Sequence, residues 1–513
     1  MLLFVEVEVL DNMPKIKDDS ITILAPRTGI SSSPLVGYGE VRNLDISSFP
    51  GLVKLNKKLA AVTGTITSQI NWVIRHPITS TEVYALSLSG VVFKSTNSGA
   101  TFVAMTGNTQ TACHGNGLTI FKNYLIVARD AFLDVCGDGT ATGIANANWS
   151  NSWKAIDSDV LWHPLYISKN DNKMYGGAAE YVFSLDEDTG ETFAPGTAST
   201  YTWTQQALDL PSNYRIKCLE ELGNNLMCGT WQGTLVNAIK KAIIFPWDRS
   251  SVSYGQPIDL NDFGVHAMLI DGNSLIVLAG INGKIRECNG AAAWTIGQIP
   301  NSLIDLTGKY LEFYPGALCK YKNKYFFGVG GTVAIAKMGV YSLQKTARGS
   351  ILNLEHTVST GNDGTSNLMK INALLPITNE RILVGYLDST TAGMNLTSAT
   401  AYPTDYSGYF ESPLYRVGNI QDMRSFAKLT FQLVNKLATG EGIRLSYRNN
   451  LSDSFTLIKT SEGGTLNLLY SVLTAIISHF ITPGIPKCEL VQIKVELLGN
   501  ATTSPSFESL ILK

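Results

Sequence analysis

Residues 72–102 read WVIRHPITSTEVYALSLSGVVFKSTNSGATF, and residues 161–193 read LWHPLYISKNDNKMYGGAAEYVFSLDEDTGETF. Both run from an aromatic through His-Pro to a strand-like segment led by Tyr84 or Tyr175. A second segment with Val-Phe follows in each, then a Gly turn ending in Thr-Phe. Phe93 and Phe183 stand 90 positions apart. Two units of about 45 residues fit that interval, a length within the range of propeller blades.

Weaker copies fill the gaps: YLIVARD from Tyr124, LMCGTW from Leu226, LIVLAG from Leu275, YFFGVGG from Tyr325 and RILVGY from Arg381. From Tyr84 to Arg381 the steps average roughly 50 residues, again a propeller period. No apolar stripe at i, i+3, i+4, i+7 extends beyond two turns, so helices are not expected. The pattern predicts an all-β chain with a seven-bladed β-propeller of four short strands per blade. Closure of such a ring protects its sheet edges.

The turn from Ser95 to Phe102, with Asn97 and Gly99, resembles the Asp-box of sialidase-type propellers, Asn97 standing where Asp is usual. The turn from Ser184 to Phe193, with Asp186 and Gly190, resembles the same box with one extra residue. The resemblance implies a folding device: the acid or amide caps the hairpin backbone, Gly takes positive φ, and the aromatic packs beneath. It does not imply sialidase activity.

Composition bounds the function. Charged residues are 16% of 513, against about 25% in ordinary soluble proteins. The net charge is −2, which argues against nucleic acid or an anionic membrane as partner. Hydrophobic residues at 44% exclude disorder as the main state. MLLFVEVEVLDNMPKIKDD lacks a basic n-region and carries Glu6 and Glu8, so no signal peptide is expected. No run reaches the ~18 apolar residues of a membrane span. The cysteines show no metal spacing and read as reduced core thiols, with a Cys218–Cys228 bridge left open.

Near residue 410 the text changes character, and Leu490 to Leu497 alternates apolar and polar as a half-buried antiparallel strand does. The expected organisation is an N-terminal arm or strand over 1–35, a propeller over 36–415, and a jelly-roll-like β-sandwich over 416–513. Two stretches carry a resemblance: GEVRNLDISSFPGLVKLNKKL from Gly39, and the C-terminal block from YFESPLYRVG to VQIKVELLGNATTSPSFESLILK. Both resemble the large β-rich virion proteins of tailed bacteriophages, in which a propeller is followed by a jelly-roll-like sandwich. The resemblance implies a particle component made in the host cytoplasm.

The chain has no HExxH, GxSxG, P-loop or helix-opening GxGxxG. His76 and His163 precede Pro in what read as equivalent repeat positions, a structural role. Cys113 and His114 are adjacent, and neighbours on a strand face opposite sides, so they make no nucleophile–base pair. His266, His356 and His479 stand alone and read as surface or satisfied core. Asp130, Asp134, Asp138 and the acidic turn Asp186–Glu187–Asp188 lack the spacing of a calcium loop and read as solvated turns. No catalytic residue, metal ligand or cofactor is expected. Trp149 and Trp153, in NANWSNSW, read as indoles of a polar loop available to a ligand or partner.

The expected function is a non-enzymatic structural component of a phage virion, tail or tail-fibre associated, serving as assembly platform or host-surface adhesion module. Its partners would be other virion proteins, further copies of itself in a symmetric assembly, and a host-surface glycan or protein. The alternative is a carbohydrate-binding or carbohydrate-hydrolysing propeller.

Overall fold

The computed structural model describes residues 21–24, 38–46, 48, 51–64, 66, 68–108, 113–158, 161–232, 242–299, 311–331, 338–346, 349–358, 369–388, 391–417, 424–459, 467–469 and 476–513. Among these the chain is all-β; the helical turns are two short 3₁₀ pieces, Ala198–Thr200 and Pro315–Ala317. The chain divides into two compact units.

The larger unit comprises residues 60–340 and 358–396. Five consecutive four-stranded antiparallel sheets fill residues 70–104, 117–155, 165–209, 214–259 and 265–298, each an uncrossed meander. Strands Leu311–Glu312 and Leu318–Tyr321 both pair with Lys324–Gly331. Met369–Thr378, Arg381–Asp388 and Thr391–Thr397 follow as a further antiparallel set. This is the sheet succession of a β-propeller.

The packing explains why the second strands carry the strongest sequence signal. Val83–Ser87, Tyr124–Ala128 and Met174–Ala178 are buried at every position, because a neighbouring sheet covers each face. Leu86 and Val92 interlock with Leu118, Leu125 and Val127 of the next sheet. Ile126, Leu133 and Val135 pack in turn on Met174, Phe183 and Leu185. The first sheet also meets the last strand set, since Ile70, Val83 and Phe93 share a cluster with Ala373, Leu383 and Met394. Val62 donates its amide to the Met394 carbonyl (3.0 Å), so chain from before the first sheet edges the last one.

The smaller unit joins residues 1–59, 341–357 and 397–513. Residues 341–357 lie inside the stretch the sequence assigns to a propeller over 36–415. They form parts of strands Gly339–Thr346 and Gly349–His356, and the latter pairs in parallel with Glu40–Arg42. Glu40–Arg42 pairs on its other side with Gly408–Glu411, which pairs with Leu490–Leu498 and then Gly442–Arg448. A second sheet joins Ile21–Leu24, Phe507–Leu512, Arg424–Leu433 and Ile476–Cys488. Phe410 and Phe507, one from each sheet, meet at 5.4 Å between ring centroids. Apart from Ile21–Leu24, which pairs with the final strand of the same chain, the arm expected over 1–35 lies outside the described residues.

Leu490–Leu498 is a strand, but it is covered on both faces rather than half-buried. Its polar side is held inside by pairing. Gln492 accepts from Arg448 Nε (2.7 Å) and donates to the Ser412 carbonyl (2.7 Å), while Glu496 accepts from Arg444 Nε (2.8 Å).

Candidate functional site

Lys217 follows Ile216 on strand Tyr214–Leu222, and His266 follows Val265 on strand Val265–Asp271. These are the first strands of consecutive sheets. Asn71, Glu312 and Lys370 occupy Ile70–Arg75, Leu311–Glu312 and Met369–Thr378, and all five residues line one cavity of about 200 Å³. Trp162, Trp231, Phe313 and Tyr314 complete its walls. Gly264 permits a close approach: its φ is +96°, and a Cβ there would lie 2.9 Å from Trp231 Cβ.

The electrostatics centre on Lys217, whose residue is 6% exposed. Its Nζ lies 2.8 Å from His266 Nδ1 and donates to the Phe313 carbonyl at 3.2 Å. It also stands 4.7 Å from the Trp162 ring centroid and 5.8 Å from that of Tyr314, over faces that attract cations. Among the described residues it has no ion-pair partner. Burial pushes its ammonium down to about 8, with Glu312 opposing. Burial also holds the His266 imidazole neutral, aided by the Lys217 charge and opposed by the Phe263 and Gly280 carbonyls. With Nδ1 accepting from Lys217, the ring proton sits on Nε2, which among the described residues meets no acceptor in hydrogen-bond geometry, the Phe263 and Gly280 carbonyls included. Trp231 Nε1 is likewise buried without an acceptor.

The acid side of the cavity is already committed. Glu312 accepts the Tyr314 hydroxyl and lies 3.8 Å from Lys370 Nζ. Gln69 Nε2 donates to Asn71 Oδ1 (2.8 Å), and Asn71 Nδ2 to the Gly115 carbonyl (3.1 Å), which fixes both amides. Among the described residues the lining therefore contains one carboxylate, two cations and four aromatic walls. Hydrolysis of a glycoside by the usual route calls for two carboxylates flanking the bond; this arrangement suits binding.

Trp149 and Trp153 sit on a strand, Trp149–Ala155, and not in a loop. Its register shifts by a bulge against Phe132–Cys136, and Ser152 takes φ +51° there. Trp153 packs edge-on to Phe193, Tyr201 and Trp203 and donates its Nε1–H to the Pro195 carbonyl (2.9 Å). Trp149 packs against the core between the first two sheets. Both indoles are half-buried in core packing.

The first box turn has the implied geometry. Asn97 Oδ1 accepts from Ser95 Oγ and from the Thr101 amide, both at 2.9 Å. Ser95 Oγ accepts from the Gly99 amide (3.0 Å), Gly99 has φ +80°, and Phe102 is buried. In the second turn Gly190 has φ +83° and Phe193 is buried, but the cap comes from Glu187, which accepts the Phe193 amide at 2.7 Å. Asp186 instead pairs with Lys173 (2.8 Å), and Ser184 stays in the strand ladder opposite Tyr175. The extra residue shifts the capping role along the chain.

His76 and His163 are both buried but not equivalent. His76 follows the first strand of its sheet and accepts the Thr79 amide at 3.0 Å. His163 precedes the first strand of its own and reaches the Gly177 and Asp130 carbonyls, each at 3.0 Å. Asp134 is no solvated turn: it is fully buried beside Arg129 and accepts the Ser152 amide at 2.7 Å. His114 Nδ1 meets Asp130 (3.0 Å), while Cys113 Sγ accepts from Arg129 (3.1 Å), so the adjacent pair does face apart. Cys218 and Cys228 are free thiols in different core clusters, on opposite faces of their sheet.

The sequence reading missed Lys217 and His266 as site residues. The available signal was a polar residue inside an apolar first strand, IKC and VHA, recurring at the same place in two repeats.

No protein-family model matches the chain, and no curated protein sequence matches it. Solved structures similar to it include the WD40 β-propeller domain of Doa1, at 10% identity and TM-score 0.44, covering 67% of this chain and 97% of that one. YCF48 bound to D1 peptide matches at 10% identity and TM-score 0.43, over 71% and 100%. The computationally designed Ika8 protein matches at 11% identity and TM-score 0.39, over 67% and 99%. At these scores the fold rests on the chain's own sheet order.

Proposed function

We propose that the chain is a non-enzymatic structural component of a tailed-phage virion, tail or fibre associated, working as an assembly platform or adsorption module. In this reading the larger unit closes as a seven-bladed ring. Residues 311–331 and 369–396 would supply the last two blades beyond the five complete meanders. The smaller unit would be the jelly-roll-like sandwich that docks neighbours. The terminal segments that resemble phage virion proteins support this reading.

The observation that carries the non-enzymatic part is how the buried ionisable groups are used. Asp134 is spent on Arg129, and Asp262 on Arg286 (3.2 Å) and Lys284 (3.4 Å). Glu221 is spent on Arg249 and the Lys169 amide. Buried charges paired in this way specify and rigidify a scaffold. Mass spectrometry of purified particles should find the chain in stoichiometric copies. Its absence from particles, or glycan turnover lost in Glu312→Gln, would overturn the proposal.

A second reading, a carbohydrate-binding propeller, is favoured by the cavity. Indole and phenol walls beside fixed amides and a carboxylate are the means by which proteins hold a small polar ring.

A further inference from the structure

Among the described residues, Lys217 is a buried ammonium without a counter-ion. Buried charges in proteins are paired, because removing a cation from water unpaired is expensive. Lys217 has instead a neutral imidazole, a backbone carbonyl and two aromatic faces. The other unspent groups on the wall point the same way. Among the described residues His266 Nε2–H and Trp231 Nε1–H are buried donors without acceptors, and a buried donor left unpaired is costly. Lys370 adds a second cation, and Glu312, the one carboxylate of the lining, is already engaged by Tyr314. A cavity whose open groups are donors and whose main charge is an unpaired cation selects a ligand rich in acceptors and negatively charged.

We propose that the cavity binds a small acidic sugar, whose carboxylate supplies the counter-ion Lys217 lacks while its ring stacks on Trp162 and Tyr314. The inference rests on the carbohydrate-binding reading and specifies its ligand. The volume of about 200 Å³ is below the ~300–1,000 Å³ of pockets for drug-sized ligands, which restricts the occupant to a single ring. The groups facing Lys217 are His266, Glu312, Lys370, Cys218 and the Tyr314 ring.

The test is titration calorimetry of the full chain with methyl β-D-glucuronide and methyl β-D-glucoside, probes differing in the carboxylate. The glucuronide should bind at least about tenfold more tightly at pH 7. Lys217→Met should reduce that preference to below about twofold, and Trp149→Phe should leave it intact. The wild-type protein provides a check that needs no variant to fold: between pH 7 and 9 the preference should fall by up to about tenfold as Lys217 loses its proton. Equal affinity for the two probes, or a preference untouched by both Lys217→Met and pH, overturns the inference and leaves the carbohydrate-binding reading standing. Binding of neither probe overturns both.

Discussion

Lys217 Nζ lies 2.8 Å from His266 Nδ1, and each residue stands nine positions ahead of the residue, Leu226 or Leu275, that leads the second segment of its repeat. The repeat thus places two titratable groups side by side on consecutive first strands. Both are buried, and burial moves both toward their neutral forms.

The first prediction concerns alkaline stability. Lys217 holds its proton to about 8 in the folded chain, against 10.5 ordinarily. Below pH 8 both states are protonated, and the burial penalty is felt in full. Between these values the unfolded chain binds more protons, so stability rises with pH, by up to about 3 kcal/mol in total. Urea unfolding at pH 7.5 and 10 should show this rise in the wild type relative to Lys217→Met. A difference that does not change with pH would place Lys217 in water.

A second prediction follows from Phe193, which is 1% exposed and meets Phe121 and Tyr124 edge-on, each at 5.2 Å. Phe193→Ala should cost about 3–5 kcal/mol, the range for a large aromatic lost from a core. The lowered midpoint in denaturant measures it.

The first box turn gives a third. Asn97→Ala removes the acceptor for the Thr101 amide and the Ser95 hydroxyl and should cost about 1 kcal/mol, whereas Asn97→Asp should be neutral or stabilising. Gly99→Ala should cost about 1 kcal/mol through its φ of +80° alone, since a Cβ there would meet only ordinary contacts with Leu383 and Ile377. Thermal melts of the three variants check the order.

Much of this architecture was legible because it is periodic. The residues read as repeat leaders, from Tyr84 to Arg381, each fall at or beside the start of a strand, the second of its set in each complete meander. Second strands are covered on both faces, so they are uniformly apolar and stand out. First strands carry the cavity, and there a single polar residue among apolar neighbours reads as noise until the strands are brought together. Trp153 misled for the opposite reason. NANWSNSW looks like a loop, yet a bulge beside Asp134 lets it run as an outer strand whose indoles turn inward. A boundary near 415 rests on a change of texture in the sequence, whereas pairing of Glu40–Arg42 with Gly349–His356 is a long-range contact that leaves no local mark.

A fourth prediction isolates the buried pair of Arg129 and Asp134. Asp134→Asn leaves the guanidinium buried without its counter-charge and should cost about 3–5 kcal/mol. Replacing both residues by apolar ones of similar size should recover much of that loss, and chemical denaturation of the single and double variants distinguishes the two outcomes.

The most direct measurement on the cavity is an NMR pH titration of the lysine ε-carbons in the whole chain. Lys217 should titrate near 8, apart from the bulk of the lysines, and methyl β-D-glucuronide should move that midpoint upward while the glucoside leaves it in place. A Lys217 midpoint near 10.5 in the free protein, or one indifferent to the glucuronide, would contradict the account.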